Sequence, residues 1–290
     1  MPESSRFQLP PVPAVLLAII SVQGGAAIAK GLFPVVGAAG TASLRIGLSA
    51  LMLLVAVRPR LGQLRAAQWR AVVPYGLALG AMNFLFYCAL ARVPLGLGVT
   101  LEFVGPLVVA LAGSRRWLDV LWAVLAGAGI ALIAPWGGHG IDVVGMLFAL
   151  AAGGCWAVYI VLGSRVAEVL PGNEAVAVGV LFATLAVLPF GLAAGQLVHL
   201  TPRLLGLGAA LALLSSALPF TLEMQALKRL PTRTFSILMS LEPAAAALCG
   251  WLFLREQLTP SQWLAVMLVM AASAGATLTA RRAQAAVGGE

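Results

Sequence analysis

Hydrophobic positions along this chain come in long blocks and do not alternate with polar ones. Ten stretches, at about residues 12–29, 39–57, 71–91, 95–114, 118–136, 142–163, 174–196, 203–226, 234–253 and 261–280, are almost wholly apolar. Each has about 18 to 24 residues, enough to cross a hydrocarbon core of about 30 Å as a helix. The pattern predicts an all-α membrane protein with ten transmembrane helices. The connectors are short and hold Gly, Pro or charge, which leaves no room for an extramembrane domain. Only the tail from Arg281 reads as disordered. The first stretch is too long for a signal-peptide core, and Lys30 leads straight into the next one, so cleavage is not expected.

Composition agrees. Of 290 residues, 61% are hydrophobic and 10% charged, against about a quarter charged in soluble domains. The net charge of +8 does not mark a nucleic-acid site, because the basic residues sit mainly in connectors. With the N-terminus inside, the cytoplasmic side holds Arg6, Arg58, Arg60, Arg65, Arg70, Arg115, Arg116, Arg165, Lys228, Arg229, Arg233, Arg281 and Arg282. The opposite side holds only Lys30, Arg92, Arg203 and Arg255. That bias places both termini in the cytoplasm. Trp69, Trp117, Trp136 and Trp263 fall near span ends, as interfacial tryptophans do.

An internal repeat is legible. Arg92-Val93-Pro94, twelve residues before Pro106, matches Arg229-Leu230-Pro231, twelve before Pro243, at a constant offset of 137. Gln23-Gly24-Gly25 and Gly153-Gly154-Cys155-Trp156 correspond loosely. Five spans per half, an odd number, would invert the second half relative to the first. In transporters built that way the substrate site lies near mid-membrane, where the halves meet. The division expected is residues 1–137, 138–280 and a cytoplasmic tail at 281–290.

Candidate chemistry comes from charges that lipid disfavours. Glu102, Glu223 and Glu242 lie inside spans, where a carboxylate costs about 2.5–3.5 kcal/mol on insertion scales. Glu102 is about eight residues into its span, near 12 Å deep. Gly98, Gly105 and Pro106 surround it in the helix, and Pro106 leaves the Glu102 carbonyl without its usual donor. A solvated pocket is expected to serve both groups. Glu242 stands directly before Pro243 and an alanine run, which also suits plain helix packing. Glu223 lies five residues before Lys228 and can pair with it, and Pro219, Ser215 and Ser216 mark a polar or broken stretch of the same helix. Arg45 is the basic residue within a span, suited to a substrate carboxylate or to a glutamate. Gln23, Asn83 and Tyr87 are polar groups at depth that serve either substrate or helix packing. Lys30 reads as an interfacial anchor.

Cys88, Cys155 and Cys249 lie in apolar stretches and read as packing residues, and His139 and His199 as solvated connector residues. The chain has no HExxH, GxSxG or Walker A sequence, so no catalytic residues, metal or cofactor are expected.

The segments SSALPFTLEMQALKRLPTRTFSILMSLEPAAA (215–246), SVQGGAAIAKGLFPVVGA (21–38), MNFLFYCALARVPLG (82–96) and LEFVGPLVVAL (101–111) resemble the bacterial inner-membrane exporters of threonine and homoserine. Those exporters fall in the ten-helix EamA branch of the drug/metabolite transporter superfamily. The resemblance runs from Ser21 to Thr279, and its most specific part is LEMxALxRLPTRTF. It implies two inverted five-helix repeats around a central cavity, with the fifth and tenth spans peripheral. It also implies efflux of small neutral amino acids, driven by the proton motive force. Glu102, Glu223 and Glu242 occupy motif positions whose separate roles the resemblance does not assign. The partners implied are a small amino-acid substrate, protons and the lipid bilayer, with a homodimer left open and no nucleic acid.

On this reading Glu102 and Glu242 hold the substrate ammonium. Arg45, with backbone N–H groups freed at the helix breaks of Pro106, Pro219 and Pro243, receives its carboxylate. A proton competing with the ammonium would reset the carrier. Two alternatives are a carrier of another metabolite or drug, and a passive channel, which would lack saturation and counterflow.

Overall fold

The computed structural model describes residues 10–112, 117–133, 142–195, 197, 201–227 and 229–287. Trp136, His139, His199, Lys228 and the Arg115-Arg116 connector lie outside them. Among the described residues the chain is helical, without strands. Twelve α-helices follow one another: α1 (Pro11–Val57), α2 (Ala66–Leu90), α3 (Leu95–Glu102), α4 (Val104–Ala112), α5 (Trp117–Ile133), α6 (Val143–Ala167), α7 (Gly172–Ala193), α8 (Pro202–Ala212), α9 (Leu218–Leu227), α10 (Thr232–Met239), α11 (Glu242–Leu254) and α12 (Pro260–Val287). Among the described residues, seven helical stretches are long and apolar enough to cross a membrane; Trp117–Ile133 and Pro202–Ser216 are shorter apolar helices. The last seven residues of α12 lie in the stretch expected to be a disordered tail.

The sequence expectation of a connector after Lys30 needs correction. Helix α1 runs through it for 47 residues, about 70 Å if straight, more than twice a hydrocarbon core. It is not straight. Pro34 withholds a donor from the Lys30 carbonyl, and Gly37 adopts φ 64° and ψ 170°, a conformation open to glycine and costly for other residues. The kink divides α1 into arms at 11–36 and 38–57. Both arms reach one turn elsewhere in the chain: Ser21 Oγ donates to the Leu214 carbonyl at 2.7 Å, and Ser49 and Ser216 share a hydrogen bond of 2.9 Å. In a straight helix Ser21 and Ser49 would stand about 42 Å apart. The arms are therefore folded toward each other.

Three predicted spans are interrupted helices. Residues 95–112 break between α3 and α4 at Phe103, and residues 232–254 between α10 and α11 at Ser240–Leu241. In each case a proline three residues after the break, or two, has no N–H for the carbonyl one turn back. The third interruption is a π-helical turn, Leu213–Ala217, between α8 and α9. Pro219 cannot donate to the Ser215 carbonyl, and Leu218 N–H reaches back to Leu213 instead. Single π-turns inside helices often mark functional sites.

Packing places these breaks at the centre. The arms of α1 lie against α7, α8, α9 and α11; α2 packs on α6 and α7, and α3 on α6 and α11. Helix α5 lies against α12 and α4. The tightest crossing joins α4 to α6, where a methyl at Gly105 would collide with the Gly153 carbonyl. On the other side of that contact, a methyl at Gly153 would sit 2.6 Å from the Glu102 carbonyl oxygen. The acceptor freed by Pro106 thus faces the Gly153 backbone, not a solvated pocket as the sequence suggested.

Among the described residues two ion pairs link elements distant in sequence. Helix α11 ends in a left-handed Arg255 (φ 57°), and the next residue, Glu256, donates its N–H to the Gly250 carbonyl at 3.1 Å, which satisfies one of the carbonyls left free at the helix end. This turn carries the Glu256 carboxylate back to Lys30 at 2.6 Å, where it also accepts the Leu95 N–H at the start of α3 at 2.7 Å. Lys30, read from the sequence as an interfacial anchor, is thus ion-paired with Glu256. Nearby in sequence to Leu95, Arg92 pairs with Asp142 at 2.8 Å, and Asp142 caps α6 by accepting from Val144 and Gly145.

Candidate functional site

The breaks surround a cavity of about 160 Å³, against the 10–15 Å³ that holds one water. Its polar lining is Gln23 and Arg45 from the two arms of α1, Asn83 from α2, Glu102 from the end of α3, Ser215 from the π-turn and Glu242 from the start of α11. Val22, Ala26, Met82, Phe86, Val99 and Trp156 supply the apolar walls. Gln23 and Arg45 would be about 33 Å apart in a straight helix, so the Gly37 kink is what brings them to one chamber.

The charged groups are arranged with room between them. Glu102 is 7% exposed and lies within electrostatic reach of both Glu242 and Arg45. Gln23 Nε2 donates to Glu242 at 3.4 Å, a long bond that steadies the carboxylate without enclosing it. Arg45 is held from one side: its Nη1 donates to Asn83 Oδ1 at 2.9 Å and to the Tyr87 hydroxyl at 3.4 Å, and the guanidinium carbon stands 5.5 Å from the Tyr87 ring centre. Asn83 is itself oriented by donating to the Leu79 carbonyl at 2.9 Å. The buried Arg45 Nε has no hydrogen-bond partner among the described residues. An oriented guanidinium with an unused N–H edge is suited to a carboxylate, which it can grip through two parallel bonds. Two carboxylates near the same chamber suit an ammonium.

Five of the residues singled out from sequence, Gln23, Arg45, Asn83, Glu102 and Glu242, meet at this cavity. Tyr87 stands behind Arg45 and contributes no wall. Glu223, on α9, is half-buried and within electrostatic reach of Glu242 and Tyr159, but it does not line the cavity; its pairing with Lys228 lies outside the described residues. Pro106, Pro219 and Pro243 stand beside the three helix interruptions. Trp156 is not a site residue on the sequence pattern, and Ser215 stands there only as part of a polar stretch. Trp156 is fixed by an edge-on contact with Phe103, 5.1 Å between ring centres at 88°. Its signal was the loose match of its glycine-rich stretch with Gln23-Gly24-Gly25. The cysteines are free, and no cluster with metal-ligating composition occurs among the described residues.

Comparison with known proteins agrees with this architecture. Residues 143–278 match the EamA-like transporter family. The threonine/homoserine exporter RhtA of Escherichia coli K12 is 48% identical over 277 residues, covering 94% of this chain and 92% of that protein. RhtA of Salmonella typhimurium LT2 is 48% identical over 290 residues, with 97% of each chain covered. An uncharacterized transporter of Bacillus subtilis, YwfM, is 27% identical over 241 residues and 80% of each chain. A solved crystal structure, 23% identical, shares the fold with a TM-score of 0.57 over 93% of this chain and 98% of that one. The chain belongs to the EamA-like transporter family, as a multi-pass membrane transporter and not an enzyme.

Proposed function

We propose that the protein exports threonine, homoserine and related small neutral amino acids across the bacterial inner membrane in exchange for protons. The observation that carries this reading is the cavity, where Arg45 shares one small chamber with Glu102 and Glu242. A zwitterion needs both signs of partner when it leaves water. The 48% identity to the exporters of threonine and homoserine supports the substrate class.

Charge balance supports the coupling. A bound zwitterion satisfies Arg45 with its carboxylate and one glutamate with its ammonium, which leaves the other glutamate to carry a proton. A proton arriving at the substrate-side glutamate competes with the ammonium and releases it.

For the architecture, the reading is ten crossings in two inverted halves, 1–137 and 138–280, with both termini cytoplasmic. The two arms of α1 count as two crossings, α3 with α4 as one, α8 with α9 as one, and α10 with α11 as one. The offset of 137 that aligns Pro106 with Pro243 also aligns the break at Phe103 with that beginning at Ser240. The glutamates therefore flank equivalent breaks, Glu102 before one and Glu242 after the other.

Cells expressing the protein should grow in inhibitory threonine or homoserine that arrests cells without it. Absence of protection contradicts the reading. In proteoliposomes an imposed pH gradient should accelerate threonine flux; equal rates with and without it remove the proton from the mechanism.

A further inference from the structure

Three consecutive residues of the π-turn meet different surroundings. The Leu214 carbonyl accepts from Ser21, and Ser216 bonds Ser49. Between them Ser215 lines the cavity, with its Oγ buried over Gly25 and without a hydrogen-bond partner among the described residues. A helical serine ordinarily bonds a carbonyl one turn back, as Ser240 does with Ser236 at 3.1 Å. Ser215 has no such bond, and its position is closely defined. The turn is pinned on both sides to the arms of α1, and Gly25 clears the space for the hydroxyl, since a methyl at Gly25 would collide with Ser215 Oγ.

Apart from the Trp156 indole N–H, which donates only and cannot accept from a hydroxyl, the other polar groups of the chamber have assignments. Arg45 faces a carboxylate, Glu102 and Glu242 an ammonium, Gln23 donates to Glu242, and Asn83 is used on Arg45 and the Leu79 carbonyl. The remaining walls are chiefly apolar. We infer that Ser215 reads the side-chain hydroxyl of the substrate and is the residue that separates hydroxylated amino acids from their deoxy counterparts. This rests on the exporter reading above.

The chemistry fits a hydroxyl better than other groups. A serine hydroxyl is donor and acceptor at once and rotates freely, so it can serve a hydroxyl on either Cβ or Cγ from one position. An aliphatic side chain brought into its place leaves Ser215 Oγ buried and unpaired, and that penalty is how a polar pocket rejects an apolar analogue. A pocket without such a group discriminates poorly against a missing or added hydroxyl.

The test is competitive transport in proteoliposomes of the full chain. Threonine is paired with 2-aminobutyrate, which lacks only the hydroxyl, and with valine, which replaces it by a methyl. The wild type should prefer threonine over 2-aminobutyrate by about tenfold, the worth of one neutral hydrogen bond. Ser215→Ala should bring that ratio near one, mainly through loss of threonine flux. Gly25→Ala, which displaces the hydroxyl without removing it, should lower the ratio as well. A wild type that moves threonine and 2-aminobutyrate equally overturns the inference whatever the variants do. A Ser215→Ala protein that keeps the wild-type ratio overturns it too. A wild type that transports none of the three overturns the exporter reading instead, so the two failures are distinct.

Discussion

The Lys30 ammonium lies 2.6 Å from the Glu256 carboxylate and 2.6 Å from the Val93 carbonyl, tying the first arm of α1 to the turn after α11 and to the connector before α3. With side chains only 20% and 15% exposed, removal of one partner strands a largely buried charge. Lys30→Met should therefore destabilise the protein by about 3 kcal/mol. The double variant Lys30→Met/Glu256→Gln should recover part of that loss. Thermal unfolding of the purified protein in one detergent measures both; a double variant less stable than Lys30→Met would contradict the pairing.

Two neighbouring glycines on facing helices should respond in opposite ways. Gly105→Ala drives a methyl into the Gly153 carbonyl, so α4 must move off α6, and a loss of about 1–3 kcal/mol is expected from overpacking. Gly154, beside that crossing on α6, has open space where a methyl would go. Gly154→Ala should be neutral or stabilise by up to about 1 kcal/mol through helix propensity. The same melts decide it, and equal effects would contradict the packing.

Arg45 should not tolerate lysine. Its guanidinium is fixed by Asn83, Tyr87 and the Tyr87 ring at the wall of the cavity, and its buried Nε has no hydrogen-bond partner among the described residues. A flexible ammonium reproduces the charge but not the planar fork. Arg45→Lys should lower threonine transport at least about tenfold, the loss of one charged hydrogen bond, chiefly by raising the concentration at half-maximal rate. Initial rates across a substrate series in proteoliposomes measure it.

The cap of α6 gives a pH dependence of known sign. Hydrogen bonds from the Gly145 N–H and the Arg92 guanidinium hold the Asp142 carboxyl below its ordinary range. A carboxyl lowered on folding stabilises above its unfolded pKa and loses that contribution as pH falls through the folded value. Wild-type melting temperature should therefore fall more steeply with acidification than that of Asp142→Asn. Parallel pH profiles would contradict the assignment.

The sequence exposed the charged half of the site because lipid makes a misplaced charge conspicuous. Glu102, Glu242 and Arg45 stood out for that reason and do share a chamber. The same reasoning selected Glu223, which lies off the cavity, since depth in a span does not say which way a side chain faces. Ser215 and Trp156 cost little in a membrane helix and carried no comparable signal. The Lys30–Glu256 pair depends on folding that brings distant residues together. The prolines announced interruptions, but not that Gly37 would bend an otherwise continuous helix, nor that the break beside Ser215 would take a π-turn.

Transport is expected to depend most on Glu102 at the cavity. Counterflow of labelled threonine into proteoliposomes loaded with unlabelled threonine isolates exchange from any driving force. The wild type should show saturable counterflow. Glu102→Gln, matched for incorporation and thermal stability, should reduce it by a factor of at least about ten, as expected when a charge-assisted bond to the ammonium is lost. Wild-type counterflow in that variant would contradict the central claim.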